Sequence, residues 1–241
     1  MTLGALIDLG IDTRLFKSEL AKLNLTGYDI IIEKASRCGI FGTDVRIITG
    51  NEDEQNHHGY SGSMQHSHGH FHNHDYAGLH PVRNLESIGM IIDQSDLNRS
   101  IKDFSKKVFY EIVRAEAKVH NKDINEVYFH EIEALDSIVD IVGTAICIDL
   151  LGVQKVFSSP LHEGLGFIKC EHGILPVPVP AVMEMLADNK IPLITEDMNA
   201  ELVTPTGMGI IKCLFCSFGN LLTHKIIFLF KADTTGINEF K

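Results

Sequence analysis

The chain has 241 residues, 44% of them hydrophobic, and a formal charge of −11. That is enough apolar material for one large domain or two small ones, and the composition is that of a folded protein rather than a disordered one. The basic residues are scattered rather than gathered into runs, so the electrostatic footprint of a nucleic-acid or anionic-lipid binder is missing, and neither nucleic acid nor membrane is an expected partner.

Met1-Thr-Leu-Gly-Ala-Leu-Ile-Asp8 has no basic n-region and meets an acid early, unlike a secretory signal, and the best late apolar run, Ile226 to Phe230, is far below the roughly 20 residues of a bilayer helix. Five cysteines, an odd number, fit free thiols in a reducing compartment. The expected location is the cytoplasm.

Residues 3–9 and 15–25 have helical apolar spacing, and Tyr28–Glu33 is a β-branched run that predicts a strand. A Gly39–Thr43 turn then leads to a second strand over Asp44–Thr49. From Gly50 to about His80 the sequence is polar, rich in Gly, Asn, Ser and His and nearly free of aliphatic residues, which predicts a long exposed loop or disordered insertion. Leu97, Ile101, Phe104, Val108, Ile112, Ala115 and Val119 recur at three or four residues and predict a long helix. A short strand over Glu126–Phe129 precedes His130, and Ile138–Leu151 is apolar nearly all round, as a buried helix would be, stopping at Gly152. Lys155–Leu161 predicts a strand. Pro176, Pro178 and Pro180 predict an extended segment running into a helix to Ala187, and a Thr-Pro-Thr-Gly turn at 204–207 precedes a helix to about Leu214. The expected fold class is mixed α/β, small sheet segments packed with several helices around an inserted His-rich loop. Its expected parts are an N-terminal α/β segment (1–50), the loop (51–82), a helical and α/β core (83–219) and a divergent tail (220–241).

The strongest chemical signal lies in the loop. His57, His58, His66, His68, His70, His72, His74 and His80 fall within it, five of them at every second position. In an extended segment alternate side chains share a face and recur at about 6.6 Å, while Gly62 and Gly69 let the chain curl several imidazoles around one ion. Neutral imidazole suits nickel, zinc and copper, and ligands on such a loop imply exchangeable binding, a store or delivery arm rather than a catalytic centre. A bland linker would be richer in Ser, Gly, Glu and Lys.

A second cluster, His130, Glu131, Glu133, Asp136 and Asp140, stands where a strand meets the buried helix. Asp136 and Asp140 are four apart and share a face, which destabilises a helix unless a cation, a proton or the helix N-terminus compensates. Thr144 and Cys147 continue that face inward. One account makes Asp136 or Ser137 the helix cap and Asp140 a capping-box acid. The other makes His130, Glu131, Asp136 and Asp140 a metal or substrate pocket with a carboxylate base. Thr204, Thr206 and Gly207 could present hydroxyls and amides to a phosphate, or simply cap the next helix. His162, Cys170 with His172, and the Cys213/Cys216 pair are weaker metal candidates.

These residues resemble the LarC family of nickel-pincer cofactor biosynthesis proteins over roughly 1–215. The resemblance is carried by Leu3-Gly-Ala-Leu-Ile-Asp-Leu-Gly10, the histidine loop, Phe129-His-Glu131, and Asp136-Ser-Ile-Val-Asp-Ile-Val-Gly143. Ser158-Ser-Pro160, Gly166-Phe, His172-Gly, Pro176-Val-Pro and Leu202-Val-Thr-Pro-Thr-Gly207 complete it. It implies a nickel cyclometallase component that inserts nickel into pyridinium bisthiocarboxylic acid mononucleotide, forming carbon–nickel and sulfur–nickel bonds with CTP and a manganese or magnesium ion. The implied partners are a CTP-using C-terminal domain, sometimes reached by a ribosomal frameshift, and the nickel-dependent lactate racemase; a homo-oligomer is compatible. Family chains open with a strand and a Gly-rich turn ending in Asp-Met, whereas this sequence starts at that methionine, and past Gly219 the likeness fades. The competing functions are a non-catalytic nickel store or metallochaperone and a metal-dependent hydrolase using the His130 to Asp140 cluster.

Overall fold

The computed structural model describes residues 2–37, 39–49, 84–127, 134–170, 173–187, 191–214 and 217–218. Among them the chain is mixed α/β, with seven α-helices, one 3-10 turn and four two-stranded sheets. Helix α1 (Thr2–Asp8) buries Leu3, Leu6 and Ile7. Helix α2 (Thr13–Ala21) begins at Asp12, whose carboxylate accepts from the Arg14 amide at 2.8 Å, and buries Phe16 and Leu20 one turn apart.

Strands β1 (Tyr28–Arg37) and β2 (Ile40–Thr49) form an antiparallel hairpin pairing Arg37 with Ile40. The expected turn at Gly39–Thr43 is therefore much shorter, because residues 40–43 belong to the ladder, and Gly39 supplies the positive φ (79°) that a tight connection requires. Helix α1 lies on β2, where a Cβ on Gly4 would stand 2.4 Å from the Thr43 carbonyl oxygen, so the two backbones touch only because position 4 is glycine. The Thr43 hydroxyl donates to the Asp8 carboxylate at 2.6 Å, and Lys34 pairs with the same carboxylate, tying helix to hairpin.

Helix α3 (Leu85–Gln94), which the spacing did not single out, buries Ile88 and Ile92. Helix α4 (Arg99–His120) realises the predicted long periodicity and ends with Asn121 in the left-handed region. Where a strand was expected from Glu126, a 3-10 turn runs over Ile124–Glu126, its Asn125 amide held by Asp123 at 2.9 Å; residues 128–129 lie outside the described set. Helix α5 (Ala134–Leu150) starts four residues before the apolar run and stops at Gly152 with φ 62°.

The predicted strand 155–161 is split at Ser159-Pro160 into β3 (Phe157–Ser158) and β4 (Leu161–Glu163), since proline offers no amide to a ladder. Strands β5 (Phe167–Cys170) and β6 (Gly173–Pro176) form an antiparallel hairpin. Helix α6 (Pro180–Ala187) starts on the third proline as expected. Strand β7 (Leu193–Thr195) pairs parallel to β4, helix α7 (Pro205–Leu214) follows, and β8 (Ser217–Phe218) pairs with β3. One apolar cluster draws on Leu3, Phe16 and Ile30 at one end of the sequence and on Ile112, Ile141, Val182 and Met208 at the other. The predicted histidine loop and tail lie outside the described residues.

Candidate functional site

Helix α5 carries the acidic pair into the core. Because it begins at Ala134, Asp136 stands in its first turn and Asp140 in its second. That placement overturns the account in which Asp136 or Ser137 caps the helix and Asp140 completes a capping box, since both lie inside the helical run. Asp136 is exposed and its charge suits the helix N-terminus; Asp140 is half-buried, and burial raises its carboxyl above the ordinary carboxylate range. Thr144 and Cys147 continue the face and are fully buried, and burial pushes the Cys147 thiol up to about 12, so it stays protonated and inert. Close packing explains the depth: a Cβ on Gly143 would meet the Leu3 methyls at 3.2 Å and Phe16 at 3.3 Å. His130, Glu131 and Glu133 of the same cluster fall outside the described residues.

The Thr-Pro-Thr-Gly segment is the first turn of α7 rather than a separate loop. The Gly207 amide donates to the Thr204 hydroxyl oxygen at 3.2 Å and the Met208 amide to the Thr204 carbonyl at 2.8 Å, so Thr204 is the N-cap, while Thr206 and Gly207 lie inside the helix. The Gly207 and Met208 amides are thereby engaged and Pro205 has none, which leaves the Thr204 hydroxyl proton as a donor at this helix start.

Sequence reasoning missed the residue that fixes this turn. Glu163, fully buried at the end of β4, accepts amides from Gly164 at 2.9 Å and Leu202 at 2.7 Å, and from Val203 at 3.4 and 3.3 Å on its two oxygens. A carboxylate taken out of water is retained only when such donors surround it. Beside it, a Cβ on Gly164 would lie 2.0 Å from the Ala200 carbonyl oxygen, so chain 164–166 runs against 198–200 without room for a side chain. The signal in the sequence was an acid at the inward position of a three-residue strand, readable only once the register with β7 is known.

His162, on the opposite face of β4, is exposed, with Nδ1 2.5 Å from the Glu196 carboxylate. Cys170 closes β5, with His172 outside the description, and burial pushes the Cys213 thiol up to about 11, which makes it a poor ligand at neutral pH. His57, His58, His66, His68, His70, His72, His74 and His80 are outside as well. Among the described residues no group of three or more His, Cys, Asp or Glu is arranged to hold a metal ion, and no helix is long and apolar enough to cross a membrane.

The described residues thus form a mixed α/β framework with a carboxylate pair on a buried helix and a polar cap at a helix start. The chain belongs to the nickel insertion protein family, whose sequence model matches residues 1–228. A protein of Acetivibrio thermocellus named pyridinium-3,5-bisthiocarboxylic acid mononucleotide nickel insertion protein is 58% identical over 219 residues, covering 91% of this chain and 49% of its own. Bearing the same name, a Lactiplantibacillus plantarum protein is 43% identical over 249 residues (100% and 57%), and one of Alkaliphilus metalliredigens is 46% identical over 211 (87% and 48%). The chain thus spans about half the length of the curated relatives it matches. No solved structure matches.

Proposed function

We propose that this chain takes up nickel on His57, His58, His66, His68, His70, His72, His74 and His80 and inserts it into pyridinium bisthiocarboxylic acid mononucleotide, maturing the nickel-pincer cofactor of lactate racemase and related enzymes. The observation that carries the reading is the family match over residues 1–228 with a 58% identical relative of that printed function. Forming a carbon–nickel bond from a ring carbon replaces C–H by C–Ni and releases one proton, which needs an acceptor. His130, Glu131, Asp136 and Asp140 are the candidates. A carboxylate raised by burial, as Asp140 is, holds a proton better than an exposed one and is the better base. Thr204, Thr206 and Gly207 at the start of α7 would receive the phosphate of the mononucleotide.

A manganese or magnesium ion suits carboxylate oxygens, and such ions are commonly held by one or two carboxylates, water and phosphate. Asp136 and Asp140, sharing a face, are the described residues of that chemistry. The ion would screen their mutual repulsion and the phosphate charge. In this reading CTP is used by a C-terminal partner, the reaction class is a metal-inserting lyase, and the setting is the cytoplasm. A second reading, a nickel store without chemistry of its own, rests on the eight histidines between positions 57 and 80.

The test supplies the full chain with nickel, CTP, manganese, the precursor and the C-terminal half of a longer relative, and follows pincer product. His130→Ala and Asp136→Ala should each lower product formation by at least about a hundredfold while nickel uptake is unchanged, and replacing the eight loop histidines by serine should remove most nickel uptake. A parent chain that binds nickel and forms no product would establish the store instead.

A further inference from the structure

Among the described residues two buried side-chain oxygens have no hydrogen-bond partner, Ser105 Oγ on α4 and Thr144 Oγ1 on α5. A buried hydroxyl left unpaired destabilises the fold, and valine would fill the space of Thr144 without that penalty. A helical threonine ordinarily returns its hydroxyl to the carbonyl four residues back, and this one does not.

The two orphans differ in what lies within reach. Ser105 has Ile101 and Phe109 four residues away on either side, both buried and apolar. Thr144 follows Asp140 by four residues. Helical side chains tilt toward the N-terminus, so its β-carbon leans toward the turn that bears Asp140, and β-carbons at that spacing stand about 5–6 Å apart. A side-chain rotation closes that gap. Ile141, Val142, Ala145 and Ile146 around it are buried and apolar, and of the polar side chains Asp136, Ser137 and Asp140 toward the N-terminal end of that face, Asp140 is the one within a single turn of Thr144.

We propose that Thr144 is a positioning residue for Asp140, its hydroxyl donating to the Asp140 carboxylate when the acceptor molecule binds and fixing the direction in which the carboxylate points. The hydrogen bond is unmade in the free protein and made in the complex, so the stability lost in the one is recovered as affinity in the other. This inference rests on the reading that places the acceptor at α5.

The test measures the Kd of the full chain for pyridinium bisthiocarboxylic acid mononucleotide by calorimetry, together with Tm. Thr144→Val should weaken binding about tenfold, the scale of one hydrogen bond to a charged group, with Tm equal to or above the parent. Thr144→Ser, which keeps the hydroxyl, should bind within about twofold of the parent. Should valine not be accommodated, Thr144→Ala must show the same tenfold loss. Parent-like affinity in the valine and alanine variants, or a serine variant as weak as valine, overturns the proposal. If Asp140→Asn weakens binding while Thr144→Val does not, the Thr144 role falls and the α5 acceptor site stands. Parent-like binding in Asp140→Asn, or no binding by the parent, overturns the α5 site itself and this inference with it.

Discussion

The helices α4 and α5 and the short-strand region from Phe157 to Val203 are held together by different forces. In the helical part the same few residue types do the work: Ile101, Val108, Phe109 and Ile112 of α4 and Ile138, Val139, Ile141, Val142 and Ile146 of α5 are all buried, and the helices could exchange one aliphatic for another with modest loss. The strand region has ladders of two to four residues, too short to be stable on pairing alone. Beyond the Val179, Val182, Met185 and Ile191 it lends to the shared core, it is held by the Glu163 carboxylate on three amides and by backbone contacts at Gly164 that admit no side chain. The lesson is that one chain uses tolerant packing where it needs a frame and intolerant polar satisfaction where it needs to place a turn.

The contrast can be broken most directly at Glu163. Glu163→Ala leaves the amides of Gly164, Leu202 and Val203 unpaired, and urea unfolding should register a loss of about 4 kcal/mol. A loss below about 1 kcal/mol would mean water replaces the carboxylate and the region is no more exacting than the helices. On the helical side, Ile138→Val removes one methylene from a fully buried site and should cost about 1 kcal/mol in the same assay; a loss matching the Glu163 variant would erase the distinction.

The smallest effect is expected at Asp140, where the two kinds of interaction meet. Its carboxyl is raised in the folded protein, so the fold binds that proton more tightly than the unfolded chain does. The associated stability is present below the ordinary carboxylate pKa and is lost as pH rises through the raised folded value. Asp140→Asn should therefore raise Tm slightly at pH 7, with the difference shrinking to nothing in acid. A lower Tm at pH 7 would mean that the ionised carboxylate is a stabilising group of the free protein.

Much of the helical frame was legible. The recurrence from Leu97 to Val119 located α4, and the all-round apolar run from Ile138 located α5, because burial of one face leaves a period in the sequence. Helix α3 went unnoticed although Ile88 and Ile92 have the right spacing, since ten residues offer only two buried repeats. The start of α5 at Ala134 leaves a weak trace in the sequence because its first four positions contain only one large aliphatic, Leu135, to extend the apolar pattern. The site was legible in part. The Asp136/Asp140 face and the Thr204 cap were visible as spacing and residue type, whereas Glu163 was not, because its value depends on amides almost forty positions away.

The sequence by itself determined the residue chemistry: a histidine-dense segment, an acidic pair on one helical face, a mixed α/β fold and a family likeness. Local patterns carry those because they are set by neighbours within a turn or two. Which carboxylate sinks toward the core, which hydroxyl loses its partner, and which acid clamps the start of α7 were decided only by tertiary structure, because desolvation and hydrogen-bond satisfaction depend on segments that meet only in the folded chain.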